Sequence, residues 1–248
     1  MNRIAVLLIA ALSFTFTGCI DVIEQLFMNK DGSGKYVMTM DMSTIMSEEM
    51  RGMIEMMMQQ EGAADQNPFG EGMPEELDSL FYFKDVNPDA VKKLDRPEVF
   101  EKAYMHIQMS QSKELFVMEL GLDFKDISDI EYFNSKISEV AGEQMGGAFG
   151  PGMFGGGGNS KMFGLQGKKL TRYPASGSGD LPMSEEEKSM MRMMFMDASY
   201  RTEYVFPKKV KKTSMVGAEI EGNKLTLERP LIDVIEGKGD MAGWIKFK

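Results

Sequence analysis

Residues 103–124 carry the most restrictive pattern in the chain. Ala103, Met105, Ile107 and Met109 alternate with Tyr104, His106, Gln108 and Ser110, and after a polar break at 111–114 one phase resumes as Phe116, Met118, Leu120, Leu122 and Phe124. A period of two sends successive side chains to opposite faces of a strand, so each run has one apolar and one polar face. Two such runs joined by a short turn form an antiparallel hairpin whose register the turn length sets. Ser110 then lies opposite Leu115, Met105 opposite Leu120, and His106 opposite Glu119 on the polar side. A chain built around this hairpin has to cover its apolar face with further structure.

A second hairpin is predicted over residues 21–42. A strand around Val22 to Met28 leads into Asp31-Gly32-Ser33-Gly34, where Asp-Gly is a two-residue turn signal, and Tyr36, Met38, Met40 and Met42 share one face of the return strand. The spacing of Met46, Met50, Met53, Ile54, Met57 and Met58 predicts a helix from Thr44 to Gln60. Ile130, Phe133, Ile137 and Val140 predict another from Asp126 to Val140, capped by Asp126 or Ser128. Hairpin followed by helix therefore occurs twice, in 21–60 and 102–140, as an internal ββα pattern. A capping box, Ser184 to Glu187, opens a third helix whose body is Met190, Met191, Met193, Met194, Phe195 and Met196.

Shorter signals fill the remainder. Phe81 and Phe83 suggest a strand running on to Val86, followed by a helical turn from Pro88 to Leu94. Strands are expected at Met162 to Gln166, through the alternation Tyr200, Thr202, Tyr204 and Phe206, on both sides of Gly222-Asn223, and at Trp244 to Phe247. Residues 61–76, 142–160 and 174–182 lose all periodicity, the middle one holding nine glycines, and are expected to be disordered loops. The expectation is one α+β domain over residues 19–248, its antiparallel hairpins forming a sheet with about three helices packed on one face.

A formal net charge of −10 argues against nucleic acid as a partner. The 26 methionines allow two readings. Methionine is a flexible core filler, and its soft thioether also suits Cu(I), for which Met50, Met53, Met57, Met190, Met193 and Met194 are the candidate ligands. His106 is the only histidine, and neither HExxH nor GxSxG occurs, so neither enzymatic activity nor a cofactor is expected. Pro207 and the cluster Lys208, Lys209, Lys211 and Lys212 read as protection of an edge strand, with a patch for an anionic headgroup or glycan as the functional alternative.

The first residues decide location. Arg3 precedes an apolar run from Ile4 to Leu12, and Phe16-Thr17-Gly18-Cys19 ends it at the only cysteine. The run is short of the roughly 20 residues that cross a bilayer. This segment resembles the signal peptide and lipobox of bacterial lipoproteins. The resemblance implies cleavage after residue 18, a lipid on Cys19, and a protein held on the membrane surface, each buried acyl CH₂ contributing about 0.8 kcal/mol. Ile20, standing where Asp would favour retention at the inner membrane, favours the outer membrane, on its periplasmic or surface face. The order of hairpins and helices, with Asp31-Gly32-Ser33-Gly34 and the run Leu122-Asp123-Phe124-Lys125-Asp126-Ile127, resembles cell-envelope lipoproteins of Gram-negative bacteria and, more distantly, actinobacterial LppM-type domains. The resemblance implies a fold and a location but no activity. The expected role is non-enzymatic binding or scaffolding with an envelope protein as partner, the alternatives being Cu(I) binding and carriage of a lipid or amphiphile.

Overall fold

The computed structural model describes residues 20–48, 52, 74–146, 161–174, 189, 192 and 195–248. Strand β1 (Asp21–Met28) is the centre of the larger sheet. Its inward side chains, Val22, Glu24, Leu26 and Met28, are all buried. It pairs antiparallel with β2 (Gly34–Asp41), placing Leu26 opposite Tyr36 and Glu24 opposite Met38. The turn is longer than the two residues expected. Residues 29–33 close through the Asn29 N–H donating to the Ser33 carbonyl at 2.7 Å, while the Asp31 carboxylate accepts from the Ser33 N–H and hydroxyl. Asp31 thus acts through its side chain, and Gly32 supplies the left-handed residue at φ +90°.

The hairpin at 103–124 forms with the expected register. β4 (Tyr104–Ser110) and β5 (Leu115–Phe124) set Ser110 against Leu115, Met105 against Leu120 and His106 against Glu119. β3 (Glu76–Tyr82) adds to β4. Where the strand was expected to continue to Val86, helix α1 (Phe83–Val86) turns inward, followed by α2 (Pro88–Lys93), whose first turn is capped by Asn87 accepting from the Ala90 N–H. α3 (Ser128–Gly146) buries Ile130, Phe133, Ile137 and Val140, the predicted stripe. The Asp126 carboxylate accepts from the Ser128 N–H at 2.9 Å, which settles the cap. The helix runs on to Gly146 rather than stopping at Val140, because Ala141, Glu143, Gln144 and Met145 are good helix formers and the dense glycines come only afterwards. Residues 147–160 lie outside the described set.

On the other side of β1 lies β8 (Ser199–Val205), then β11 (Lys224–Pro230) and β10 (Glu219–Glu221), giving eight strands in the order β10-β11-β8-β1-β2-β5-β4-β3. Among the described strands only β1–β8 pair in parallel. A short helix, α4 (Leu231–Ile235), follows β11.

The expectation of helices covering one face of a single sheet is overturned. β6 (Phe163–Gln166), β7 (Lys169–Arg172), β12 (Gly243–Phe247) and β9 (Val210–Thr213) form a second, four-stranded sheet in the order β6-β7-β12-β9. It packs on the β1–β8 half of the large sheet, where the Phe163 ring meets Tyr36 and Tyr204 edge-on and Phe247 stacks on Phe206 at 4.8 Å. The β5 side is covered by α3 together with α1, α2 and the turn Pro97–Val99, through Phe83, Phe100 and Phe133. The protein is therefore mostly β, with four helices among the described residues and only α3 longer than six residues. Four short strands scattered over residues 161–248 carry no signal of which neighbour each will choose. The predicted helix from Thr44 begins differently too: Ser43–Met46 is a single 3-10 turn that Ser47, at ψ 146°, ends. Of that helix and the third, only Glu48, Gly52, Ser189 and Arg192 are described, and these four are helical.

Candidate anion-binding face

The outer face of the small sheet is built by strand alternation. In β7 and β12, Leu170, Ile245 and Phe247 point into the core, and this sends Lys169, Thr171, Trp244 and Lys246 outward. The turn between β6 and β7 is the two residues Gly167-Lys168, with Gly167 at φ +59°. On the far side of β12, Lys246 is opposite Lys212 of β9. Lys169, Lys246 and Lys212 thus form a row across three adjacent strands. Like charges directly opposite one another destabilise a sheet, so the fold gains nothing from this row. Trp244 lies beside it, with Lys169 Nζ at 5.4 Å and Lys212 Nζ at 5.5 Å from the indole centroid. The Trp244 backbone is held by its N–H donating to Ser214 Oγ at 2.9 Å and by its carbonyl accepting from Thr213 Oγ1 at 2.9 Å.

More lysines surround the row. Segments 161–174, 206–217 and 241–248 contain Lys161, Lys168, Lys169, Lys208, Lys209, Lys211, Lys212, Lys246 and Lys248, and not one Asp or Glu, in a chain that has 38 acidic residues. Lys161 lies over Tyr173 at 5.0 Å, and the Lys248 N–H donates to the Lys209 carbonyl. Lys92, Lys102, Lys136, Lys224 and Lys238 each have a carboxylate within 4.0 Å, whereas none of the nine does among the described residues. The predicted cluster Lys208, Lys209, Lys211 and Lys212 is one edge of this face. Edge protection also holds, since β9 is an outer strand. Lys169, Lys246 and Trp244 escaped the sequence reading because they come from separate segments. The absence of carboxylates in 161–174 and 241–248 was the signal that could have exposed them.

Behind the face, a buried polar cluster pins the small sheet to the large one. Glu24 is fully buried at the apolar phase of β1. Its Oε2 accepts from Arg172 Nη2 at 2.8 Å and from the Tyr200 hydroxyl at 2.6 Å, and its Oε1 accepts from the Tyr204 hydroxyl. Burial opposes the Arg172 charge, but the Glu24 carboxylate, together with the Tyr204 and Tyr200 oxygens, more than offsets this and holds the guanidinium protonated. Burial foremost, with Glu24 adding to it, pushes the Tyr200 and Tyr204 phenols far up. Arg172 and Lys169 are two ends of one strand, so this ion pair sets where the lysine row stands.

The remaining candidates divide. His106 is in register with Glu119, but its Nε2 is 2.6 Å from Asp78 on β3, and Glu119 instead accepts from the Tyr104 hydroxyl. The hydrogen bond to His106 lowers the Asp78 carboxyl. Cys19 and the methionines Met50, Met53, Met57, Met190, Met193 and Met194 lie outside the described residues. Among those described, Met28, Met38, Met40, Met42, Met46, Met105, Met109, Met118, Met162, Met215 and Met241 are buried as core filler. No group of three metal-binding His, Cys, Asp or Glu occurs among the described residues, and no described helix is long and apolar enough to cross a membrane. A cleft of about 530 Å³ beside the β1–β2 turn opposes Lys35, Lys102 and Lys125 to Glu98, Glu101, Asp123 and Asp129, the last already paired with Arg96, so its charges largely cancel.

No protein-family model matches the chain, and no curated protein matches it significantly. Among solved structures it is similar to the folded domain of the LppM protein of Mycobacterium tuberculosis, determined by NMR. The TM-score is 0.39 and the identity 10%, over 95% of this chain and 94% of that one. The likeness is a distant one.

Proposed function

We propose that this chain is a membrane-anchored cell-envelope lipoprotein with a binding role, not a catalytic one, and that the lysine–tryptophan face of the small sheet is its contact surface. The anchor is the lipid expected on Cys19, and the residue after it, Ile20, favours the outer membrane. The ligand is a surface of anionic phospholipid headgroups. The observation that supports this reading is the row Lys169–Lys246–Lys212 beside Trp244, a cross-strand repulsion that an anion relieves. The face is a flat sheet surface rather than a pocket, which suits an extended array of phosphates better than one small molecule. Each lysine brought to an anionic leaflet contributes about 1 kcal/mol, and tryptophan favours the headgroup level, where an apolar ring with one polar edge is at home. The acidic remainder of the surface is repelled by the same leaflet and orients the encounter.

The test uses residues 20–248, without leader or lipid site. Cosedimentation is expected with phosphatidylglycerol vesicles and not with phosphatidylcholine vesicles, and added salt should weaken it. Charge reversal at all three of Lys169, Lys212 and Lys246 should abolish binding, and Trp244→Ala should weaken it. Undiminished binding by the triple variant would put the contact elsewhere.

A further inference from the structure

Among the described residues four strands end a sheet, and three of them are guarded. β10 is three residues long and carries Glu219 and Glu221. β9 carries Lys211 and Lys212, and β6 is four residues long. Short length and charge are the usual devices by which an edge avoids pairing with another chain. β3 ends the large sheet at seven residues, and its second half, Leu80-Phe81-Tyr82, has neither charge nor proline. Those three side chains are 53%, 37% and 39% exposed, and Val86 on the helix that follows is 43% exposed.

We propose that β3 is where two copies of this chain pair, strand to strand and antiparallel. The charge order along the strand selects this partner. The acids Glu75, Glu76 and Asp78 come first, the apolar residues follow, and Lys84 stands beyond them, over the Tyr82 ring at 5.7 Å. A two-fold axis at Ser79 joins all seven residues: Leu77 meets Phe81 of the other copy, Asp78 meets Leu80, and Glu76 meets Tyr82. Each Lys84 then comes beside the other copy's Glu75 and Glu76. A parallel pairing would instead set carboxylate on carboxylate. The antiparallel pair supplies backbone partners to both open edges at once and covers both exposed triplets.

The experiment takes the full chain in detergent carrying Cys19→Ala and Ser79→Cys, so that the new thiol is the only one, and treats it with a short bis-maleimide. A covalent dimer is expected. It should be lost when Leu80→Glu is added, a change at an exposed side chain that sets a second carboxylate opposite Asp78 of the other copy. Glu228→Cys, in β11 near the other edge of the sheet, should not crosslink. Light scattering should give a dimer for the Cys19→Ala chain and a monomer for the variant that also carries Leu80→Glu. A monomer at every concentration, or a crosslink from Glu228→Cys as strong as that from Ser79→Cys, overturns the proposal.

Discussion

Glu24 sits at an apolar phase of β1 with three donors converging on it, so each partner of this carboxylate can be tested alone. Removing Arg172 by Arg172→Met would leave a buried unpaired carboxylate and should destabilise the fold by about 3–5 kcal/mol in chemical denaturation. Two buried tyrosines in the same cavity should behave oppositely. The Tyr204 hydroxyl donates to Glu24, so Tyr204→Phe should cost about 1–3 kcal/mol by leaving Oε1 without a donor. The Tyr36 hydroxyl is buried with no hydrogen-bond partner among the described residues, so Tyr36→Phe should leave the melting temperature unchanged or raise it. Equal losses from the two substitutions would contradict this assignment of donors. A glutamate at an inward position of an alternating strand was visible in the sequence. Its partner, 148 residues away, was not.

At the scale of elements, the β1–β2 hairpin depends on Gly34 for a reason that turn propensity does not capture. Gly34 is not left-handed. A Cβ there would lie 2.0 Å from the Phe27 carbonyl oxygen and 2.5 Å from the buried Phe124 ring. The backbone cannot yield as a side-chain tip can, so Gly34→Ala should destabilise by about 1–3 kcal/mol, with hydrogen exchange of β1 and β2 rising first. The two hairpins and α3 were legible because each has local periodicity over many residues. The 3-10 turn at Ser43–Met46 and the helix at Phe83 were not, since there the tertiary path of the chain overrides the apolar pattern.

For the whole molecule, Tyr36, Tyr200 and Tyr204 all lie between the two sheets, and burial foremost, with Glu24 adding to it, holds their phenols far above the ordinary 10.0. Unfolding releases them to that ordinary value. The folded state therefore keeps protons that the unfolded state loses, and the stability from these groups is complete below about pH 10 and falls as the pH rises beyond it. Alkaline titration should show phenolate absorbance appearing together with loss of β structure, not before it. An early phenolate signal in folded protein would mean that water reaches the seam between the sheets.

The sequence by itself determined the two hairpins, the register of the second, the inward face of α3 and the lysine cluster at β9, because each is a contiguous pattern of period two or 3.6, or a run of one charge. Only the tertiary structure decided that the last strands leave the hairpins to make a second sheet, that Glu24 meets Arg172, and that Lys169, Lys246 and Lys212 form one row. Those contacts join segments tens of residues apart, and strand pairing over such distances is chosen by how the whole core packs.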